Sequence, residues 1–179
     1  DDQVLERMRR GYTRRQYLDK IEEIRSEIPS AALTTDLIVG FPGETRDQFQ
    51  RTLDVLEEVR FDKVHTAAYS ERPGTIASRK MPDDVSRDEK KVRLRMVADI
   101  QESIGAEINA SYVGQDFEVL VDGDTRGRRH GRTRTDKLVY IDGLQPSIGA
   151  MAEVRITRSS PWSVNGSVNE TRNRSLIVL

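Results

Sequence analysis

The chain contains no cysteine. It can therefore form no disulfide, hold no thiolate-ligated zinc and anchor no iron–sulfur cluster through its own side chains. Histidine is scarce too: only His65 and His130 occur, far apart and without metal-ligand spacing. His65 reads as a satisfied core or rim residue, and His130, within a basic run, as a further anion contact. No apolar run is long enough to span a bilayer, and the amino end shows no signal-peptide pattern. The expected setting is cytoplasmic, with no membrane partner. Neither a Walker loop nor a G-x-G-x-x-G fingerprint is present, and no Ser/His/Asp array can be assembled. No residue here is a candidate catalytic group, and none is a candidate metal ligand. The chain begins Asp1-Asp2 without a methionine, which suggests a piece of a longer protein.

What is present is charge: 33% of the 179 residues are charged and 36% hydrophobic, with a net of -1. The distribution is uneven. The first 112 residues carry 19 basic against 22 acidic side chains, a net of -3, whereas residues 125–158 carry eight against three, a net of +5.

The most informative stretch is Thr35-Asp36-Leu37-Ile38-Val39-Gly40-Phe41-Pro42-Gly43-Glu44-Thr45. The apolar run Leu37–Val39 predicts a strand buried on both faces of a parallel sheet. Gly40, Pro42 and Gly43 end it, and Thr45 with Gln48 forms a capping box that opens a helix from Arg46 to Val59, with Phe49, Leu53 and Leu56 on one face. A second strand is expected from Lys63 to Tyr69. Strand, helix and strand in this spacing make a βαβ unit. Gly40–Glu44 and Ser70–Thr75 then share the carboxyl rim of the sheet, where α/β proteins place ligands. Arg72 stands on that rim, suited to an anion, although a solvated Pro-Gly turn is an equally good reading.

Upstream, Gln3–Met8 predicts a helical turn stopped near Gly11. Thr13 and Gln16 cap a helix carrying Tyr17, Ile21, Ile24 and Ile28. Downstream, Ile76–Val85 reads as an extended surface linker. Ser86 and Glu89 make a third capping box, opening a long helix with Met96 or Val97, Ile100, Ile104 and Ile108 on its apolar stripe and its charges on a solvated face. Two strand–helix steps cannot close a barrel, so this is part of a larger α/β domain.

From Tyr112 onward helical periodicity stops. Four short strands are expected, at Phe117–Val121, Lys137–Ile141, Ala152–Thr157 and Ser163–Val168, the rhythm of a small antiparallel barrel of the oligonucleotide-binding sort. Five arginines, Arg126, Arg128, Arg129, Arg132 and Arg134, crowd one expected loop of it. A basic loop on such a barrel is the footprint of a nucleic-acid site, with Trp162 or Tyr140 available to stack on a base. Arginine in preference to lysine points to RNA. The competing reading is a solvated hairpin. The expected layout is an α/β part over 1–112, an all-β barrel over 113–170 and a tail over 171–179.

The segments V-L-E-R-M-R-R-G-Y-T, T-T-D-L-I-V-G-F-P-G-E-T, Y-S-E-R-P-G-T and G-R-T-R-T-D-K-L-V, in this order between Leu5 and Gly166, resemble the radical S-adenosylmethionine methylthiotransferases, most of all the MiaB-type enzymes that modify tRNA. The resemblance implies the carboxyl-terminal part of a partial TIM-type radical SAM barrel, followed by a TRAM domain. It implies S-adenosylmethionine and two 4Fe-4S clusters in the parent enzyme, with no cluster in this chain, because the C-x-x-x-C-x-x-C loop is not here. The implied reaction adds a methylthio group to the (isopentenyl)adenosine beside the anticodon. The chain alone is expected to be inactive, its partners being the tRNA anticodon stem-loop and the amino-terminal half of the enzyme. By the same resemblance Arg10 pairs with the methionyl carboxylate, and Ile38, Gly40, Phe41, Tyr69 and Ser70 enclose the adenine end. Arg132, Arg134 and Lys137 contact the tRNA backbone, and Arg72 lies where RNA approaches. Methylthiotransferases acting on threonylcarbamoyl-adenosine or on a ribosomal-protein aspartate are the alternatives within the family. A non-catalytic RNA-binding module is the alternative outside it.

Overall fold

Three threonines open helices in this chain by the same chemistry. Thr13, Thr45 and Thr75 each hold an extended backbone, and each hydroxyl accepts from the amide three residues on, satisfying a donor that the helix leaves free. The computed structural model describes residues 1–169; the expected tail, 171–179, lies outside the described residues. The element order is α1 (Asp2–Arg7), α2 (Arg14–Glu27), β1 (Thr34–Val39), α3 (Arg46–Val59), β2 (Lys63–Ala68), α4 (Ile76–Lys80) and α5 (Arg87–Ala110), then β3 (Asp116–Thr125), β4 (Arg128–Thr133), β5 (Leu138–Asp142), β6 (Met151–Ser159) and β7 (Val164–Val168). The chain forms two compact units, the first being Asp1–Gln101 and the second beginning at Glu102, inside α5.

In the first unit β1 and β2 pair in parallel, Asp36 beside His65 and Ile38 beside Ala67. One face of the pair packs on Ile21, Phe49, Leu53, Leu56, Val59, Phe61 and Val97. The other face, with Asp36, His65 and Ala67, is exposed. The run Leu37–Val39 is therefore not buried on both faces: Val39 is, but Leu37 and Ile38 are only half-buried, since helices cover one side of a two-stranded sheet. Ile28 is also exposed, at the end of α2 where the apolar stripe leaves the core.

Two further expectations need correction. Ile76–Val85 is not all extended: Thr75 caps the short helix α4, which ends at Lys80. The charges of α5 are not simply a solvated face, because Lys90 and Arg93 are buried. Each has a fixed partner set, which offsets part of the penalty for burying a charge. The Ser86 box is half made, with the Ser86 hydroxyl accepting from Glu89 N at 3.1 Å while the Glu89 carboxylate turns to Arg93.

In the second unit five strands close a barrel in the order β3-β4-β5-β7-β6. One more strand is present than the spacing predicted, because the arginine run is itself β4 rather than a loop. The pairings are antiparallel except β5 with β7, which is parallel. Alternate residues point inward, and Val119, Val121, Val139, Ile141, Val154, Ile156 and Val164 fill the interior. Gly131 on β4 has no room for a Cβ, which would meet the carbonyl oxygen of Leu120 on the neighbouring strand.

Candidate cofactor cleft and nucleic-acid interface

At the carboxyl ends of β1 and β2 the first unit opens a cleft of about 450 Å3. Its lining brings together Arg10, Ile38, Phe41, Tyr69, Ser70 and Arg72, which sequence reading took from three separate stretches. Ile38, Phe41, Ala67, Ala68, Ile76 and Ala77 make the apolar part. The Phe41 ring meets Tyr69 edge-on, with centroids 5.2 Å apart. The Tyr69 hydroxyl is enclosed without a hydrogen-bond partner. Desolvation, with Glu71 and Asp83 nearby, raises its pKa above the ordinary phenol value.

Four arginines, Arg7, Arg9, Arg10 and Arg72, also line the cleft, and no carboxylate does. Arg7 is anchored: its guanidinium donates to Gly43 O at 3.2 Å and to Gln48 Oε1 at 3.3 Å, leaving Nε enclosed and unpartnered. Arg9, Arg10 and Arg72 are exposed. Sequence reading missed Arg7 and Arg9, although both stand in the run from Arg7 to Arg10 that carries the Arg10 assignment.

Gly40 does not line the cleft. Its φ is +69°, and an added Cβ would lie 2.5 Å from Lys90 Cγ. The glycine is there because a buried lysine crosses it in a left-handed turn. Lys90 Nζ donates to Tyr69 O at 3.1 Å and to both Asp83 oxygens at 2.5 and 2.7 Å. The turn is held from below as well. Gly40 N donates to Glu44 Oε2 at 2.6 Å, and Arg93 donates to the same oxygen at 2.7 Å and to Glu89 at 3.1 Å. Arg93 and Glu44 side chains are only 4% and 3% exposed, so the pair is fully desolvated. This bracing was invisible in sequence, because Arg93 lies 49 residues from Glu44.

On the barrel the expected basic loop is a hairpin whose arginines face acids. Arg128 donates to Asp142 Oδ1 at 2.7 Å and to Asn165 Oδ1 at 2.6 Å, with its guanidinium 4.9 Å from the Tyr140 ring centroid. Tyr140 is thus covered by Arg128 and is not a free stacking surface. Arg129 pairs with Asp124 at 2.8 Å and Arg134 with Glu118 at 2.7 Å. Arg132 donates to the carbonyl of Asp136 at 3.0 Å and stands 3.7 Å from its carboxylate. Over residues 113–169 eight basic side chains meet seven acidic, a net of +1. Arg126, at the hairpin tip, is exposed and has no ion-pair partner among the described residues. Lys137 does not present its ammonium to solvent: it is 9% exposed, with Nζ 5.9 Å from the Tyr112 ring centroid. Trp162 is 58% exposed in the turn before β7. His130 lies 3.7 Å from Asp122, and His65 is exposed on β2.

No group of three His, Asp or Glu among the described residues could hold a metal ion. With no thiolate in the chain, these residues do not fit an iron–sulfur cluster. No described helix is long and apolar enough to cross a membrane.

Comparison with known proteins matches both parts of the chain to family models. Residues 1–56 match the Radical SAM superfamily model, and residues 110–168 match the TRAM domain model. The chain is 47% identical over 169 residues to a tRNA-2-methylthio-N(6)-dimethylallyladenosine synthase of Roseiflexus sp. (strain RS-1), with 93% of this chain and 36% of that protein aligned. Proteins of the same name from Dehalococcoides mccartyi (strain CBDB1) and Herpetosiphon aurantiacus are 41% and 44% identical, each over 94% of this chain and over 40% and 39% of their own length. The chain therefore spans well under half of these curated relatives. Four motifs, two matching family models in the same order and this identity lead to one assignment: the chain belongs to the radical S-adenosylmethionine methylthiotransferase family.

Proposed function

We propose that this chain contributes one wall of the S-adenosylmethionine cleft and the RNA-binding barrel to a tRNA methylthiotransferase. Its substrate is then the dimethylallyl-adenosine beside the anticodon. The observation that carries the proposal is the cleft, where an apolar lining and an aromatic edge adjoin arginines that no carboxylate neutralises. A flat adenine suits the first part and a carboxylate the second, so the residues present fit the cofactor. Arg10 would hold the methionyl carboxylate, for which a guanidinium is suited. Ile38 and Phe41 would meet the purine, with Tyr69 and Ser70 beside them at the end of β2. When bound, the cofactor supplies the radical and methyl-donating chemistry. The protein groups here bind it, orient it and exclude water. The remainder of the enzyme, including its cluster ligands, completes the site.

RNA recognition falls to Arg126, the solvent-facing faces of Arg132 and Arg134, and Trp162 on the barrel. The barrel's near-neutral charge does not by itself favour RNA over a ribosomal-protein substrate. The support for tRNA comes instead from the TRAM match and the relatives' names.

The test is a titration of this chain with a tRNA anticodon stem-loop at two salt concentrations. Binding that weakens steeply as salt rises is expected, since each phosphate contact releases counterions. Weak binding without salt dependence would overturn the RNA assignment.

A further inference from the structure

The wall of the cleft that this chain supplies carries more positive charge than the cofactor's single carboxylate can neutralise. S-adenosylmethionine carries a sulfonium, an ammonium and one carboxylate, and so is itself net positive. Arg10 can serve that carboxylate, and Arg7 is tied to Gly43 O and Gln48. Arg9 and Arg72 remain, lining the same cleft with no acidic partner among the described residues. If the cofactor were the only ligand, these two charges would oppose its binding.

Arg9 is also an unexpected residue for its position. Helix α1 ends in a Schellman motif, with Arg9 N bonded to Glu6 O and Arg10 N to Leu5 O, both at 2.9 Å. The residue at the turn takes φ +56°. Glycine normally fills that place because a Cβ is strained there. A left-handed arginine is not by itself evidence of a ligand, since Arg60 and Arg126 share the conformation. Arg9 adds to it a place in a cleft that holds unneutralised cations and no acid. Arg72 sits in a fixed turn, its carbonyl accepting from Thr75 N at 3.3 Å and Thr75 Oγ1 at 2.9 Å.

We infer that Arg9 and Arg72 form an anion clamp at the mouth of the cleft that grips a backbone phosphate of the RNA being modified. This inference rests on the reading of the cleft as the cofactor site. Guanidinium groups pair phosphate oxygens bidentately, and a nucleotide entering the cleft brings its phosphodiester to the rim, where both arginines are exposed. The same phosphate offsets the cleft's surplus positive charge, so RNA and cofactor bind together better than the cofactor binds alone.

The variant Arg9→Gly tests this without the ambiguity of a misfolded protein. Glycine relieves the left-handed turn, so thermal stability should rise by a few degrees. Affinity for an anticodon stem-loop, measured by fluorescence anisotropy, should nevertheless fall about tenfold. The slope of log affinity against log salt should flatten by roughly 0.7–0.9 for the lost contact. Arg72→Gln should lower affinity and slope likewise, and Arg72→Lys should keep the slope. S-adenosylmethionine affinity, read by calorimetry without RNA, should not fall in Arg9→Gly. Unchanged RNA affinity and slope in Arg9→Gly would overturn the clamp, as would a loss of cofactor affinity with RNA affinity intact. If the unsubstituted chain bound RNA with the expected slope but no S-adenosylmethionine, the cofactor reading would fall instead, and the Arg9 slope would still report on the phosphate contact.

Discussion

Arginine plays opposite parts in the two units. On the barrel Arg128, Arg129 and Arg134 each meet a carboxylate within 2.8 Å, and the run that reads as strongly basic becomes almost neutral. At the cleft Arg9, Arg10 and Arg72 stand in a region of negative formal charge, yet no carboxylate lines the cleft and none of the three is ion-paired among the described residues. Net charge along a window therefore says little about the field at a site. Strand pairing brought Glu118, Asp122 and Asp124, which precede the arginine run, directly beside it. Three acids close to the cleft are held by other cations, Glu44 and Glu89 by Arg93 and Asp83 by Lys90.

Breaking the buried pair should have the largest effect. Arg93→Ala leaves Glu44 without a partner and unties the turn at Gly40; we expect a loss of about 3–5 kcal/mol, measured by urea unfolding. Arg10→Ala should leave stability nearly unchanged and weaken S-adenosylmethionine binding by about tenfold or more, the usual worth of a charge-assisted contact. Glu118→Gln sharpens the contrast from the other side. Freeing Arg134 should strengthen stem-loop binding severalfold and steepen its salt dependence by up to about one unit of slope, while stability changes by less than about 1 kcal/mol.

The smallest effect concerns Tyr69. Its folded pKa lies above its unfolded value, so its contribution is complete below about pH 10 and is lost as pH rises through the raised value. Tyr69→Phe should therefore be neutral at pH 7, because the enclosed hydroxyl has no hydrogen-bond partner to lose, and should blunt the decline above pH 10 in a pH series of thermal melts.

The same contrast explains what could be read from the chain alone. Caps and short-range periodicity were legible because their physics is local: Thr13, Thr45 and the apolar face of α3 stand where their spacing places them. That the segments after β1 and β2 share a rim was legible because the ends of two parallel strands must lie together, whereas Arg10 was reached only through the family resemblance. Pairings over long separations were not. β4 was hidden because its outward positions carry Arg128, His130 and Arg132 in place of an apolar alternation, and its inward positions include Gly131, where a side chain would not fit. Lys90 and Arg93 looked solvated because nothing near them in sequence announces Asp83, Glu44 or the Tyr69 carbonyl. Lys137 matched a family motif, but its place beneath Tyr112 depends on how the barrel closes.

The most direct measurement is a calorimetric titration of S-adenosylmethionine into this chain and into Arg10→Ala. Saturable binding to the parent chain, weakened about tenfold or more by the substitution, is the predicted result. Equal binding to both proteins would contradict the assignment of the unneutralised arginine to the cofactor carboxylate, and with it the reading of the cleft.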